Sequence, residues 1–168
     1  MPKNGYTLVE LLVVITIMGV LAVTSVVYYK SLTSDKMLLK AKDSIQSLLR
    51  TAQSNATSGF TCGTAQGAVT WSVKFENETT LKLSCNPANE PILVRTLILE
   101  NDIKIESTPV TVFYSPLLGK VLFKDQDEQL IDATELTITL KKANTNCITN
   151  PDDCESFIIS RGGAINAQ

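Results

Sequence analysis

Glu10 is at odds with its surroundings, a carboxylate one position ahead of Leu11-Leu12-Val13-Val14-Ile15 in a stretch that carries no charge from Leu11 to Tyr29. An unpaired carboxylate near hydrocarbon costs about 2.5–3.5 kcal/mol, so something must compensate it. The start of a helix offers partial positive charge and unsatisfied N–H donors. A cut after Gly5 adds a second source, a new ammonium group on Tyr6. The other chemistry-bearing set is Cys62, Cys85, Cys147 and Cys154. In an oxidising compartment an even count reads as disulfides. Of the three connectivities, Cys62–Cys85 with Cys147–Cys154 is favoured, because each pair closes one hairpin or loop. Closing such loops stabilises by about 2–3 kcal/mol each. Zinc is the competing reading, but the chain has no C-x-x-C pair and no histidine.

The lack of histidine also removes the commonest general base. No nucleophile elbow, phosphate loop or catalytic dyad appears, so the chain reads as a non-enzyme that needs no cofactor. Two acidic groups, Asp125/Asp127/Glu128/Asp132 and Asp152/Asp153/Glu155, have the oxygen chemistry that calcium takes, yet neither follows the EF-hand spacing. They read as solvated loops, and no metal site is expected. With 44% hydrophobic residues, 19% charged residues and a net charge of −2, the chain has globular composition and no overall pull toward nucleic acid.

These residues need elements to hold them. Leu11 to Tyr29 as a helix is roughly 28 Å long, about the hydrocarbon thickness of a bilayer. It predicts a single membrane anchor, with Lys3 keeping the short leader on the cytoplasmic side. Met37, Leu38, Ala41, Ile45, Leu48, Leu49 and Ala52 then recur at three- and four-residue spacing, one apolar stripe. Nothing forces a break between the two, so one long helix is expected from about residue 7 to 55. Small and turn residues from Asn55 to Gly63 end it. Beyond residue 67 the period becomes two. Strands are expected at 69–75, 80–84, 92–99, 103–106, 110–114, 119–123, 136–140 and 156–160. The expected class is α+β: a long N-terminal helix, transmembrane then amphipathic, packed on an antiparallel sheet or small sandwich. Its division is a leader at 1–5, a membrane and assembly segment at 6–29, an amphipathic segment at 30–56 and a β-rich head at 57–168.

Gly5-Tyr6-Thr7-Leu8-Val9-Glu10-Leu11-Leu12 resembles the processing site of type IV pilins and type II secretion pseudopilins. That resemblance implies a prepilin peptidase that cuts after Gly5 and methylates the new N-terminus at Tyr6. It also implies that Glu10 pairs with a neighbouring subunit's terminal ammonium during filament assembly. The family usually has Phe at the position of Tyr6. Major pilins often have a kinking proline at the position of Val27, and its lack here points toward a minor pilin or pseudopilin.

In the head, Trp71-Ser-Val-Lys-Phe75, Tyr114-Ser-Pro-Leu-Leu-Gly-Lys120 and Phe157-Ile-Ile-Ser-Arg-Gly-Gly-Ala-Ile165 resemble the minor pseudopilin family named GspH/FimT. That family ends in a strand, a glycine turn and a short return. Some members bind DNA through an arginine pair around the final glycine. Arg161 is present here, but Ala164 and Ile165 follow Gly163, so the second arginine is missing. The leading functional reading is a structural subunit of a pilus or secretion pseudopilus. Its partners are the prepilin peptidase, other pilin subunits and the bacterial inner membrane, with the head beyond that membrane and then on the filament. The second reading is a DNA-binding minor pilin that uses Arg161, Lys141 and Lys142.

Overall fold

The computed structural model describes residues 7–63, 69–87, 90–100, 102–106 and 110–167, with the side chains of 23–32, 34 and 167 set aside. The chain divides into two compact units, Met1–Lys36 and Met37–Gln168.

Helix α1 runs Leu8–Thr57. Thr7 caps its start. At its end the Phe60 N–H donates to the Asn55 carbonyl (2.9 Å) and the Gly59 N–H to the Ala56 carbonyl (3.3 Å), with Gly59 at φ +68°. This is the Schellman arrangement, in which a residue free to adopt left-handed backbone lets the last carbonyls find donors. Asn55–Gly63 does end the helix, two residues later than the spacing predicts. In the second unit the stripe Leu38, Ala41, Ile45, Leu48, Leu49, Ala52 and Ala56 is buried, and Met37 is half-buried.

Among the described residues ten strands follow: β1 Thr70–Phe75, β2 Thr80–Asn86, β3 Ile92–Ile98, β4 Ile103–Ile105, β5 Thr111–Tyr114, β6 Val121–Lys124, β7 Leu130–Ile131, β8 Glu135–Lys142, β9 Cys154–Ser160 and β10 Ile165–Ala167. They form a six-stranded sheet in the order β3-β2-β1-β5-β6-β7 and a four-stranded sheet in the order β10-β9-β8-β4. All recorded pairings are antiparallel. The expected α+β class with antiparallel sheets is what the structure shows. β2 alternates cleanly, Leu81, Leu83 and Cys85 inward and the lysine and hydroxyl residues between them outward, as a half-buried strand must.

One core cluster joins the α1 stripe to the inner faces of both sheets. Trp71, Phe75, Tyr114, Phe123 and Phe157 are its largest fully buried side chains. Trp71 also ties the helix end to β1, its indole N–H donating to the Phe60 carbonyl at 3.0 Å. β6 begins at Val121 rather than at 119, because Gly119 sits at φ +63° in the turn that follows Pro116. β9 begins at Cys154 rather than 156, and a 3-10 turn at Pro151–Asp153 leads into it.

Candidate processing and assembly site

Thr7 and Glu10 form a reciprocal cap at the start of α1. The Thr7 backbone N–H and hydroxyl both donate to Glu10 Oε2 at 2.9 Å, and the Glu10 N–H donates to the Thr7 hydroxyl at 3.3 Å. This is the capping box: a threonine whose oxygen takes a free N–H of the first turn, and a glutamate three residues on that reaches back. The helix start, expected from the sequence to compensate Glu10, does so through a partner that the expectation leaves out, Thr7. The signal for it is the spacing in Thr7-Leu8-Val9-Glu10. Both bonds to the carboxylate use Oε2; Oε1 takes part in neither.

Around this cap the apolar side chains have no cover. Leu8 is 80% exposed, Met18 66% and Val20 66%, and every side chain from Thr7 to Ala22 is exposed. Among the described residues no helix is long and apolar enough to cross a membrane. The expected span at 11–29 ends on residues 23–29, whose side chains lie outside the described set, so a long apolar helix is not shown. Gly5 and Tyr6, where cleavage and methylation are expected, also lie outside the described residues.

The four cysteines form two disulfides, Cys62–Cys85 and Cys147–Cys154, with Cα atoms 6.3 and 5.7 Å apart. The first joins the segment after α1 to β2, and Cys85 is fully buried. The second closes the loop between β8 and β9. Asp125 serves its own turn, its Oδ1 accepting from the N–H groups of Asp127 (2.9 Å) and Gln129 (2.8 Å). Among the described residues no group of three acidic or cysteine side chains is placed to hold a metal.

The three cations considered for nucleic acid are each held by a carboxylate. Arg161 donates to Asp132 at 2.7 Å, Lys141 to Glu106 at 2.9 Å and Lys142 to Asp153 at 2.5 Å. Glu78 belongs to the same kind of surface pairing. The Lys104 ammonium, hydrogen-bonded to it at 2.6 Å, holds its carboxyl below the usual glutamate range.

Residues 1–26 match the family described as the prokaryotic N-terminal methylation motif. Nothing among the curated proteins or the solved structures matches the chain. The motif supports a type IV pilin- or pseudopilin-like protein: a structural subunit processed by prepilin peptidase and assembled with other pilins.

Proposed function

We propose that this chain is a minor pilin or pseudopilin. Prepilin peptidase cuts it after Gly5 and methylates it at Tyr6, and the segment from Leu11 to Tyr29 holds it in the bacterial inner membrane. It then passes into a filament by lateral packing of its N-terminal helix. The observation that carries this reading is the methylation motif over residues 1–26, with a capped glutamate set just ahead of apolar side chains that are exposed from Leu11 to Ala22. Uncovered apolar surface of that extent demands lipid or other helices. Both occur in turn in the proposed pathway. Glu10 satisfies itself within its own chain through Oε2, and during assembly a neighbour's terminal ammonium neutralises the carboxylate. The head, of the GspH/FimT kind by its three matching segments, faces outward. Its place in a pilus or in a type II secretion pseudopilus follows from which machine supplies the neighbours.

The test is intact mass and N-terminal sequencing after co-expression with a prepilin peptidase. A mature chain that begins at methylated Tyr6 is expected. Glu10→Val is expected to be cut normally yet to drop out of filaments. An uncut chain, or one cut after the apolar run, overturns the proposal. The DNA-binding alternative gains no support from Arg161, Lys141 and Lys142, whose charges are already matched within the head.

A further inference from the structure

Register sets three lysines of the larger sheet in one row on the face opposite the core. Lys74 of β1 pairs with Lys82 of β2 and with Thr111 of β5, and Thr111 pairs with Lys124 of β6. Their strand neighbours Val73, Phe75, Leu81, Val112 and Phe123 are buried, so alternation turns the lysines outward. At one strand spacing per step, Lys82 to Lys124 spans about 14 Å.

Like charges directly opposite destabilise a sheet. Elsewhere this fold neutralises them: Lys104 stands opposite Lys141, and Glu78 and Glu106 pair with the two at 2.6 and 2.9 Å. In the row, Lys82 has Glu76 at 2.5 Å. Lys74 is exposed and has no ion-pair partner among the described residues. Lys124 lies over the Phe113 ring, 4.9 Å from its centroid, and not against a carboxylate. Two cations are thus left unmatched in a chain whose net charge is −2.

We propose that this row binds a linear acidic polysaccharide laid across β2, β1, β5 and β6. Cations in line at strand spacing suit charge repeated along a chain, whereas a single small anion meets one or two of them. Thr111 within the row and Thr96, the partner of Lys82 at its end, add hydroxyls that exchange hydrogen bonds with sugars. Single-stranded nucleic acid needs open aromatic faces for its bases, and Lys124 already covers Phe113. A bilayer surface favours apolar side chains among the cations; within the row threonines stand between them, and exposed Leu122 and Ile98 lie one pair along, so lipid vesicles are the competitor that decides. The proposal is independent of the assembly reading.

The test uses the full chain in phosphatidylcholine nanodiscs and fluorescent oligogalacturonate, read by anisotropy, with oligothymidylate of equal charge and phosphatidylglycerol vesicles as competitors. Saturable binding to oligogalacturonate is expected. Lys74→Gln together with Lys124→Gln is expected to weaken it about tenfold, and to lower the salt slope by about 0.7 per lysine removed, as for single-stranded polyanions. The double variant is expected to melt no lower than the parent, which separates lost binding from lost folding. No binding, binding unchanged in the double variant, or stronger competition by oligothymidylate or vesicles than by unlabelled oligogalacturonate overturns the proposal.

Discussion

Tyr114 is a residue whose chemistry and burial conflict. Its side chain is fully buried, and its hydroxyl has no hydrogen-bond partner among the described residues. Burial holds the phenol above its ordinary pKa, because the charged form is denied water. A buried donor left unmade costs about 1–3 kcal/mol, so Tyr114→Phe removes a penalty while keeping the ring that packs between β1 and β6. The variant is expected to be as stable as the parent or more stable by about 1 kcal/mol. Urea unfolding checks this: the midpoint should hold or rise at constant slope, and a fall worth about 1 kcal/mol would show that the hydroxyl has a partner. Glu10 shows the opposite case at the same scale. Its carboxylate looks stranded in the sequence, and the structure gives it two hydrogen bonds from Thr7, while the Glu10 N–H returns a third to the Thr7 hydroxyl. Side chain types alone reveal the tension at Glu10, but not at Tyr114, because nothing in a sequence states which buried tyrosine lacks a partner.

At the scale of elements, α1 is registered on the head by an ion pair as well as by its apolar stripe. Lys42 donates to Glu155 of β9 at 2.6 Å, with side chains only 11% and 29% exposed. Removing one partner of a buried pair leaves the other uncompensated, while replacing both by apolar groups is often neutral. With the partial exposure discounted, Lys42→Met alone is expected to cost about 1–3 kcal/mol. Lys42→Met with Glu155→Leu should recover most of that loss, and thermal unfolding of the two singles and the double measures the coupling. By spacing alone Lys42 is a charge on a face away from the stripe; its reach to a strand 113 positions on is beyond any periodicity. The legible elements are those long enough to show a period: α1, and strands such as β2 with three inward residues. β7 has two residues, too few to alternate, and β10, the return after the final glycines, follows only from resemblance. There Gly163, at φ +84°, holds left-handed backbone, and an added Cβ would lie 3.0 Å from the Gly119 carbonyl, so the last turn favours glycine. Cross-strand register is equally hidden in the sequence, and with it the lysine row.

At the scale of the whole molecule, the two disulfides brace regions of different weight. Cys62–Cys85 has a sequence separation of 23 and Cys147–Cys154 one of 7. In the chain-entropy model the longer closure is worth about 1 kcal/mol more than the shorter. Burial widens the gap. Cys85 belongs to the central core, while Cys147 and Cys154 are half-buried beside a loop whose Ile148 is 91% exposed. Opening the first bond also releases the segment that follows α1, where Phe60 meets Trp71. Cys62→Ala with Cys85→Ala is therefore expected to cost more than Cys147→Ala with Cys154→Ala, by about 1 kcal/mol from loop length alone and more once the Cys85 cavity is counted. Denaturant unfolding of the two double variants under oxidising conditions measures the difference. Equal costs would mean that the segment after α1 is held by its packing on Trp71 and not by the bond. A head stabilised in this way reaches full stability only where thiols are oxidised, which is the side of the membrane to which the proposed anchor delivers it.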